Sequence, residues 1–201
     1  MMMRANLGQR ALIAISGVDG SGKSTVIEAL RAGPHALPAA VRVLDWGRTQ
    51  ARSPGGPILN HARPPRAPWL SVLKLAVRGA QWWWTYYRTC RPWINQGGVI
   101  LCDRFYFDDV LLDPLKYRYG GPLWLARQLR AWLPQPGVYI LLDAPVAVLA
   151  ARKQEVTVAE IGRLQAAYVA LLRDYPCAYR VEAAAPLETV VAEVRQLILG
   201  L

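Results

Sequence analysis

The sequence predicts a three-layer α/β/α domain built on a five-stranded parallel sheet, and three observations predict it. Five short, largely apolar runs are spread along the 201 residues. Between them lie longer stretches whose apolar residues recur at helical spacing. The first run leads directly into a glycine-rich turn and then a helical pattern. Strands that are apolar on both faces are buried on both faces, and parallel neighbours need a helix to return the chain, so helices must cover the sheet on each side.

In chain order, the strands are expected at Leu12–Ser16, Val41–Leu44, Val99–Cys102, Val138–Leu142 and Ala178–Glu182. Trp69, Leu73, Ala76, Ala80, Trp83 and Tyr87 fall on one side of a long helix. Val158, Ile161, Leu164, Tyr168, Leu171 and Tyr175 do the same later, as do Leu187, Val190, Val194 and Leu197. Arg52 to Pro68, rich in Pro, Gly and Arg, reads as a long loop or an ordering segment. One domain spanning 1–201 is expected, because a chain of this length with 53% hydrophobic residues can bury a full core. In a sheet of this kind ligands gather outside the carboxyl ends of the strands, so the residues just after each strand are the ones to search.

Composition narrows the function classes. Eight Trp, nine Tyr and two Phe are too many aromatic residues for a disordered chain. The longest apolar run, Val138 to Ala151, contains Asp143 and Pro145 and falls short of the roughly 20 residues of a membrane span. No signal-peptide core precedes Arg10, so a cytoplasmic protein is expected. Cys90, Cys102 and Cys177 have no CxxC spacing and read as reduced thiols, and His35 and His61 have no companion at metal-ligand spacing. The formal charge of +10 is concentrated: residues 1–100 hold 13 basic and 3 acidic groups, and no carboxylate side chain occurs from Trp46 to Cys102. Such a stretch suits an anionic ligand. Nucleic acid would answer the same charge, but no nucleic-acid motif stands behind it, and none is expected as a partner.

The chemistry is concentrated after the first strand. Gly17-Val18-Asp19-Gly20-Ser21-Gly22-Lys23-Ser24-Thr25 satisfies G-x-x-x-x-G-K-[ST], between a strand and a helix as that phosphate-binding loop requires. The cofactor-binding residues are therefore Gly17, Asp19, Gly20, Ser21, Gly22, Lys23, Ser24 and Thr25, and the fold is expected to be that of the P-loop nucleotide-binding proteins. Backbone N–H groups in such a loop turn inward around phosphate oxygens, and the following helix adds its positive end. Lys23 would reach the β- and γ-phosphates of ATP, and the Ser24 hydroxyl would serve Mg²⁺.

The third strand ends in Cys102-Asp103-Arg104-Phe105. Asp103 could orient a Mg²⁺-bound water or take the acceptor's proton, and Arg104 could grip an anionic acceptor with both prongs of its guanidinium. An Asp–Arg pair that merely caps the next segment is the alternative. Asp143, after the fourth strand, either supports the metal shell or N-caps the helix near Pro145.

Ile15 to Thr25, followed by Asp103-Arg104-Phe105, resembles the thymidylate kinase group of P-loop nucleoside monophosphate kinases. The resemblance implies ATP and Mg²⁺ as cofactors and transfer of the γ-phosphoryl group to a nucleoside monophosphate. It places Asp19 near the acceptor sugar and Arg104 on the acceptor side. Arg52-Ser53-Pro54-Gly55-Gly56 resembles a family segment whose arginine contacts the acceptor phosphate, and Arg78 falls where the family uses an arginine against the acceptor. The acceptor-binding region is then about 46–98. Arg152 and Lys153 lie where a lid, here about 150–157, brings arginine to the transferring group. The catalytic set on this reading is Lys23, Asp103, Arg104 and Arg152. Asp19, Arg52, Arg78 and Arg104 bind the acceptor, and Ser24 and Asp103 hold the metal.

The chain also departs from the family. Where the family carries a Ser and then Ala-Tyr-Gln, whose amide reads the pyrimidine, this chain has Asp108-Asp109-Val110-Leu111-Leu112-Asp113. The phenylalanine that stacks on thymine has no counterpart near Leu73-Lys74-Leu75-Ala76-Val77. Phosphate-gripping groups stay and base-reading groups go. Two other readings therefore stand beside the first: a P-loop kinase for a sugar or sugar phosphate, and a nucleotide-binding regulator with weak turnover. No Asn-Lys-x-Asp guanine motif supports a GTPase switch. Arg63, Arg66, Arg88 and Arg91 read as solvated surface. Trp82-Trp83-Trp84 cannot all face the sheet, so at least one looks towards a pocket, a partner or a lipid surface, with core packing plus a homodimer contact preferred. The segment Asp113–Pro122 either shapes acceptor selectivity or is a surface loop.

Overall fold

The computed structural model describes residues 11–45, 64–152 and 157–200. Five strands form one all-parallel sheet in the order β2-β3-β1-β4-β5. They are β1 (Leu12–Ser16), β2 (Val41–Asp45), β3 (Val99–Asp103), β4 (Val138–Asp143) and β5 (Ala178–Glu182). Each begins where the apolar run predicts, and three of them extend one residue further, onto an aspartate. Every residue of β1 and β4 is buried, as expected of central strands covered on both faces.

The helices are α1 (Lys23–Arg31), α2 (Pro68–Thr85), α3 (Arg91–Asn95), α4 (Tyr106–Leu112), α5 (Leu123–Ala131), α6 (Val146–Arg152), α7 (Val158–Leu171) and α8 (Leu187–Leu199). α1 packs on α8, each with an apolar stripe: Val26, Ile27 and Leu30 on the first, Val190, Val191, Val194 and Ile198 on the second. α2, α5, α4, α7 and α6 pack in succession against one another. Right-handed crossovers in this strand order place that group on one face of the sheet and α1 with α8 on the other.

The long helix read from Trp69 to Tyr87 is present, with a change of winding at its end. Pro68 opens α2 at a position where a missing N–H costs nothing. Tyr86–Cys90 is π-helical, and the Arg91 N–H donates to the Tyr86 carbonyl. Pro92 follows at once, and since its ring clashes with the carbonyl of a preceding α-turn, the wider turn lets α3 continue past it. Trp82 is fully buried, edge-on to Phe105, and its indole N–H donates to the Pro134 carbonyl at 3.0 Å. Trp84 is 66% exposed and Trp83 is 38% exposed, so the Trp triplet divides between core and surface as its spacing requires.

Register sets the site. Ile15 lies opposite Asp103 on β3, and Ser16 lies opposite Leu141 on β4. The turn after β1 therefore emerges between the ends of the two strands beside it. Among the described residues, no helix is long and apolar enough to cross a membrane.

Candidate active site

The loop between β1 and α1 depends on glycine for two different reasons. Gly17 has φ +151°, and a Cβ there would stand 2.3 Å from the Leu142 carbonyl oxygen and 2.7 Å from Ser21 Oγ, so only glycine lets the loop lie against β4. Gly22 has open space around it but φ +85°, the left-handed turn that starts α1. The Ser21 N–H closes the loop on the Val18 carbonyl at 3.1 Å. Lys23 Nζ donates to the Gly17 and Val18 carbonyls at 3.0 Å each and lies 3.4 Å from Ser21 Oγ. Burial, followed by the nearby Arg104 charge, pulls the Lys23 ammonium down to about 7. An anion entering the loop would restore its charge.

The loop faces a cavity of about 340 Å³ lined by Asp19, Gly20, Gly22, Lys23, Ser24, Thr25, Asp103 and Arg104. Eight residues from two separate parts of the chain thus line one cavity, with Gly17 and Ser21 in the loop behind them. Ser24 and Asp103 both present hard oxygen donors on the cavity wall, a set that suits Mg²⁺.

Arg104 follows β3 in the left-handed region, at φ +68°, and its N–H donates to the Ile15 carbonyl at 3.0 Å. The backbone is thereby fixed to the strand that starts the loop. Its guanidinium bridges elements: Nη2 donates to Asp19 in the loop, and Nη1 donates to the Tyr168 hydroxyl of α7 at 3.2 Å. Asp109 Oδ2 on α4 lies 3.9 Å from Nη1, and Lys116 Nζ lies 3.7 Å from Asp19 Oδ2. Burial alone would lower Arg104, but Tyr168, Asp109 and Asp19 outweigh it and hold the group cationic.

The remaining predicted residues lie elsewhere. The Arg78 guanidinium stands over the Tyr106 ring, 5.7 Å from its centroid, two residues beyond Arg104 and outside the cavity lining. Arg152, at the end of α6, donates to the Ala183 carbonyl beyond β5 at 3.1 Å. Arg52 and Lys153 lie outside the described residues, as do 46–63 and 153–156 of the expected acceptor region and lid. Asp143 accepts from the Ala144 N–H, from Gln165 at 2.6 Å and from Arg180 at 2.9 Å, joining β4 to α7 and β5. Arg66, read as solvated surface, instead donates to the Tyr117 carbonyl at 2.8 Å.

Sequence reasoning missed Asp109 and Tyr168 as partners of Arg104, and it named Tyr117 only within the segment Asp113–Pro122. Two adjacent carboxylates in the apolar stretch Tyr106-Phe107-Asp108-Asp109-Val110-Leu111-Leu112 were the available signal, since buried carboxylates need donors.

A phosphate loop at the end of a central parallel strand, facing an Asp-Arg pair from the next strand, defines a P-loop phosphotransferase. No protein-family model matches the chain. Curated proteins do. It is 30% identical over 200 residues to the thymidylate kinase of Leifsonia xyli subsp. xyli, covering 91% of each chain. It is 28% identical over 217 residues to that of Limosilactobacillus fermentum, covering 92% of this chain and 93% of the other. With the thymidylate kinase of Syntrophotalea carbinolica it shares 32% identity over 145 residues, 66% of this chain and 62% of the other. The chain belongs to the thymidylate kinase family. It is accordingly a P-loop nucleoside monophosphate kinase, a transferase.

Proposed function

We propose that this protein transfers the γ-phosphoryl group of ATP to the phosphate of a nucleoside monophosphate, with a dTMP-like molecule as acceptor. The observation that carries this reading is the meeting of Lys23, on the donor loop, with Arg104, on the acceptor side, across one cavity. The loop amides and Lys23 would hold the β- and γ-phosphates, and Arg104 would hold the incoming acceptor in line. An acceptor phosphate oxygen bonds to the γ-phosphorus as the bond to the β,γ-bridging oxygen breaks, leaving ADP and a nucleoside diphosphate. Mg²⁺, when bound, neutralises charge on the phosphate oxygens, and Ser24 and Asp103 are the residues that would hold it.

Asp19 binds the acceptor sugar in this reading, and its ion pair with Arg104 supports that place. Arg52 and Arg78 complete the acceptor grip, and Arg152 and Lys153 serve as the lid; their positions in the sequence support these roles. The exposed stripe of Trp69, Leu73, Val77 and Trp84 supports a homodimer through α2. Cys90, Cys102 and Cys177, which have no CxxC spacing, support a reducing, cytoplasmic setting.

The test is incubation with ATP and Mg²⁺ over a panel of nucleoside monophosphates, nucleosides, sugars and sugar phosphates, with products read by mass spectrometry. A nucleoside diphosphate, formed fastest from dTMP, is expected. Phosphate appearing only on a sugar or sugar phosphate, or stoichiometric nucleotide binding with no transfer, would overturn the proposal.

A further inference from the structure

Asp109 stands in the run where the family places its base-reading amide, yet it does not line the cavity. It is 5% exposed, and its carboxylate is engaged on both oxygens. Oδ2 accepts from the Tyr117 hydroxyl at 3.0 Å and faces Arg104 Nη1 at 3.9 Å. Oδ1 accepts from the Tyr168 hydroxyl at 3.1 Å, and that same hydroxyl accepts from Arg104 Nη1. Tyr168 is thereby oriented as acceptor from the guanidinium and donor to the carboxylate. Burial, with Asp109 next, pushes both Tyr117 and Tyr168 well above their ordinary values, so each keeps the proton it donates.

We infer that Asp109 is a positioning residue for Arg104: a second carboxylate, braced by Tyr117 and Tyr168, that fixes the guanidinium opposite Asp19 and so sets the acceptor end of the cavity without touching the acceptor. With Asp19 on one side and Asp109 on the other, Arg104 is held between the loop and α4. Remove the Asp109 charge and the ion pair with Asp19 remains to draw it, towards the donor loop. Tyr117 extends the brace, because its carbonyl accepts from Arg66 and the Arg66 N–H donates to the Arg118 carbonyl at 3.1 Å. Arg66, within the expected acceptor region, is tied in this way to the group that positions Arg104.

The kinetic part of the test rests on the nucleoside monophosphate kinase reading, and the spectroscopic part does not. In the full-length protein, ¹⁵N spectra of the arginine guanidinium groups should show Arg104, assigned through Arg104→Lys, with slow rotation about its Cζ–Nε bond. Asp109→Asn should release that rotation while the protein stays folded by circular dichroism. Asp109→Asn should also raise KM for the monophosphate about tenfold, the effect of taking the second carboxylate away from the partly buried Arg104, with KM for ATP within about twofold of the parent. In the Arg104→Lys background the same change should add little, because Asp109 acts through Arg104. If Asp109→Asn does not fold, Tyr117→Phe, which deletes one hydroxyl, should give the same signature in weaker form. Slow Arg104 rotation that survives Asp109→Asn or Tyr117→Phe, or losses that multiply independently of Arg104→Lys, would overturn the inference. A wild-type protein that uses no monophosphate would sink the proposed function and leave the rotation measurement to decide this one.

Discussion

The Tyr175 hydroxyl donates to Asp108 Oδ2 at 2.6 Å, on a carboxylate with no exposure to solvent. Arg130 Nε donates to the other oxygen, and the Arg130 guanidinium lies over the Tyr175 ring, 4.9 Å from its centroid. A charge taken out of water in this way is tolerable only because all three groups meet. Tyr175 in turn stacks on Tyr139 of β4 at 4.5 Å, so the polar cluster is seated on the sheet.

Burial pushes the Asp108 carboxyl up to about 7, against the opposing pull of Arg130 and Tyr175. In the unfolded chain it titrates near the ordinary 3.8. Between those values the folded protein holds more protons than the unfolded one, so this group makes stability fall as pH rises from about 4 to about 7. Urea unfolding across that window should show the decline, and Asp108→Asn should flatten it. An Asn variant with the parent's slope would show that Asp108 is not the titrating group.

Trp82 and Trp84 differ by two positions and should differ widely in consequence. Trp82→Ala removes a fully buried indole and strands the Pro134 carbonyl, and should cost about 3–5 kcal/mol. Within a single chain Trp84 is mostly in solvent, so Trp84→Ala, measured at a dilution where the protein is monomeric, should shift stability by no more than about 0.5 kcal/mol. Chemical denaturation of the two variants side by side checks both.

Lys23→Ala should lower kcat for phosphoryl transfer by a factor of about 10²–10³, because a preorganised cation aimed at developing charge is lost. The side chain also bonds two loop carbonyls, so a small drop in stability should accompany the change. Full activity in the variant, measured by ADP release, would remove the loop from the mechanism.

Chelation with EDTA should stop transfer, and added Mg²⁺ should restore it. Ser24→Ala should raise the Mg²⁺ concentration needed for half-maximal rate while leaving the fold intact, since Ser24 is exposed on the cavity wall. A variant with an unchanged Mg²⁺ titration would show that the hydroxyl plays no part in holding the ion.

The strands were legible because central parallel strands are buried on both faces, and uninterrupted apolar runs such as Leu12–Ile15 and Val138–Leu142 mark them directly. The phosphate loop was legible because its glycines and Lys23 are contiguous and do their work through local backbone geometry. The long helix was legible from its period, but its π-helical end was not, because that depends on how Pro92 fits the turn before it. The contact of Arg66 is not legible for a different reason. A lone arginine beside prolines looks solvated until the fold brings the Tyr117 carbonyl to it.

The amino-acid sequence alone therefore determined the layers of this protein, the place of its phosphate loop, and the Asp103–Arg104 pair at the neighbouring strand end. All of these follow from local periodicity or from motifs a few residues long. Only the tertiary structure decided what Asp108 and Asp109 do. The first meets Arg130 and Tyr175, and the second meets Tyr117, Tyr168 and Arg104. Buried carboxylates must find donors wherever the packed elements supply them, and here most of those donors come from elements far along the chain.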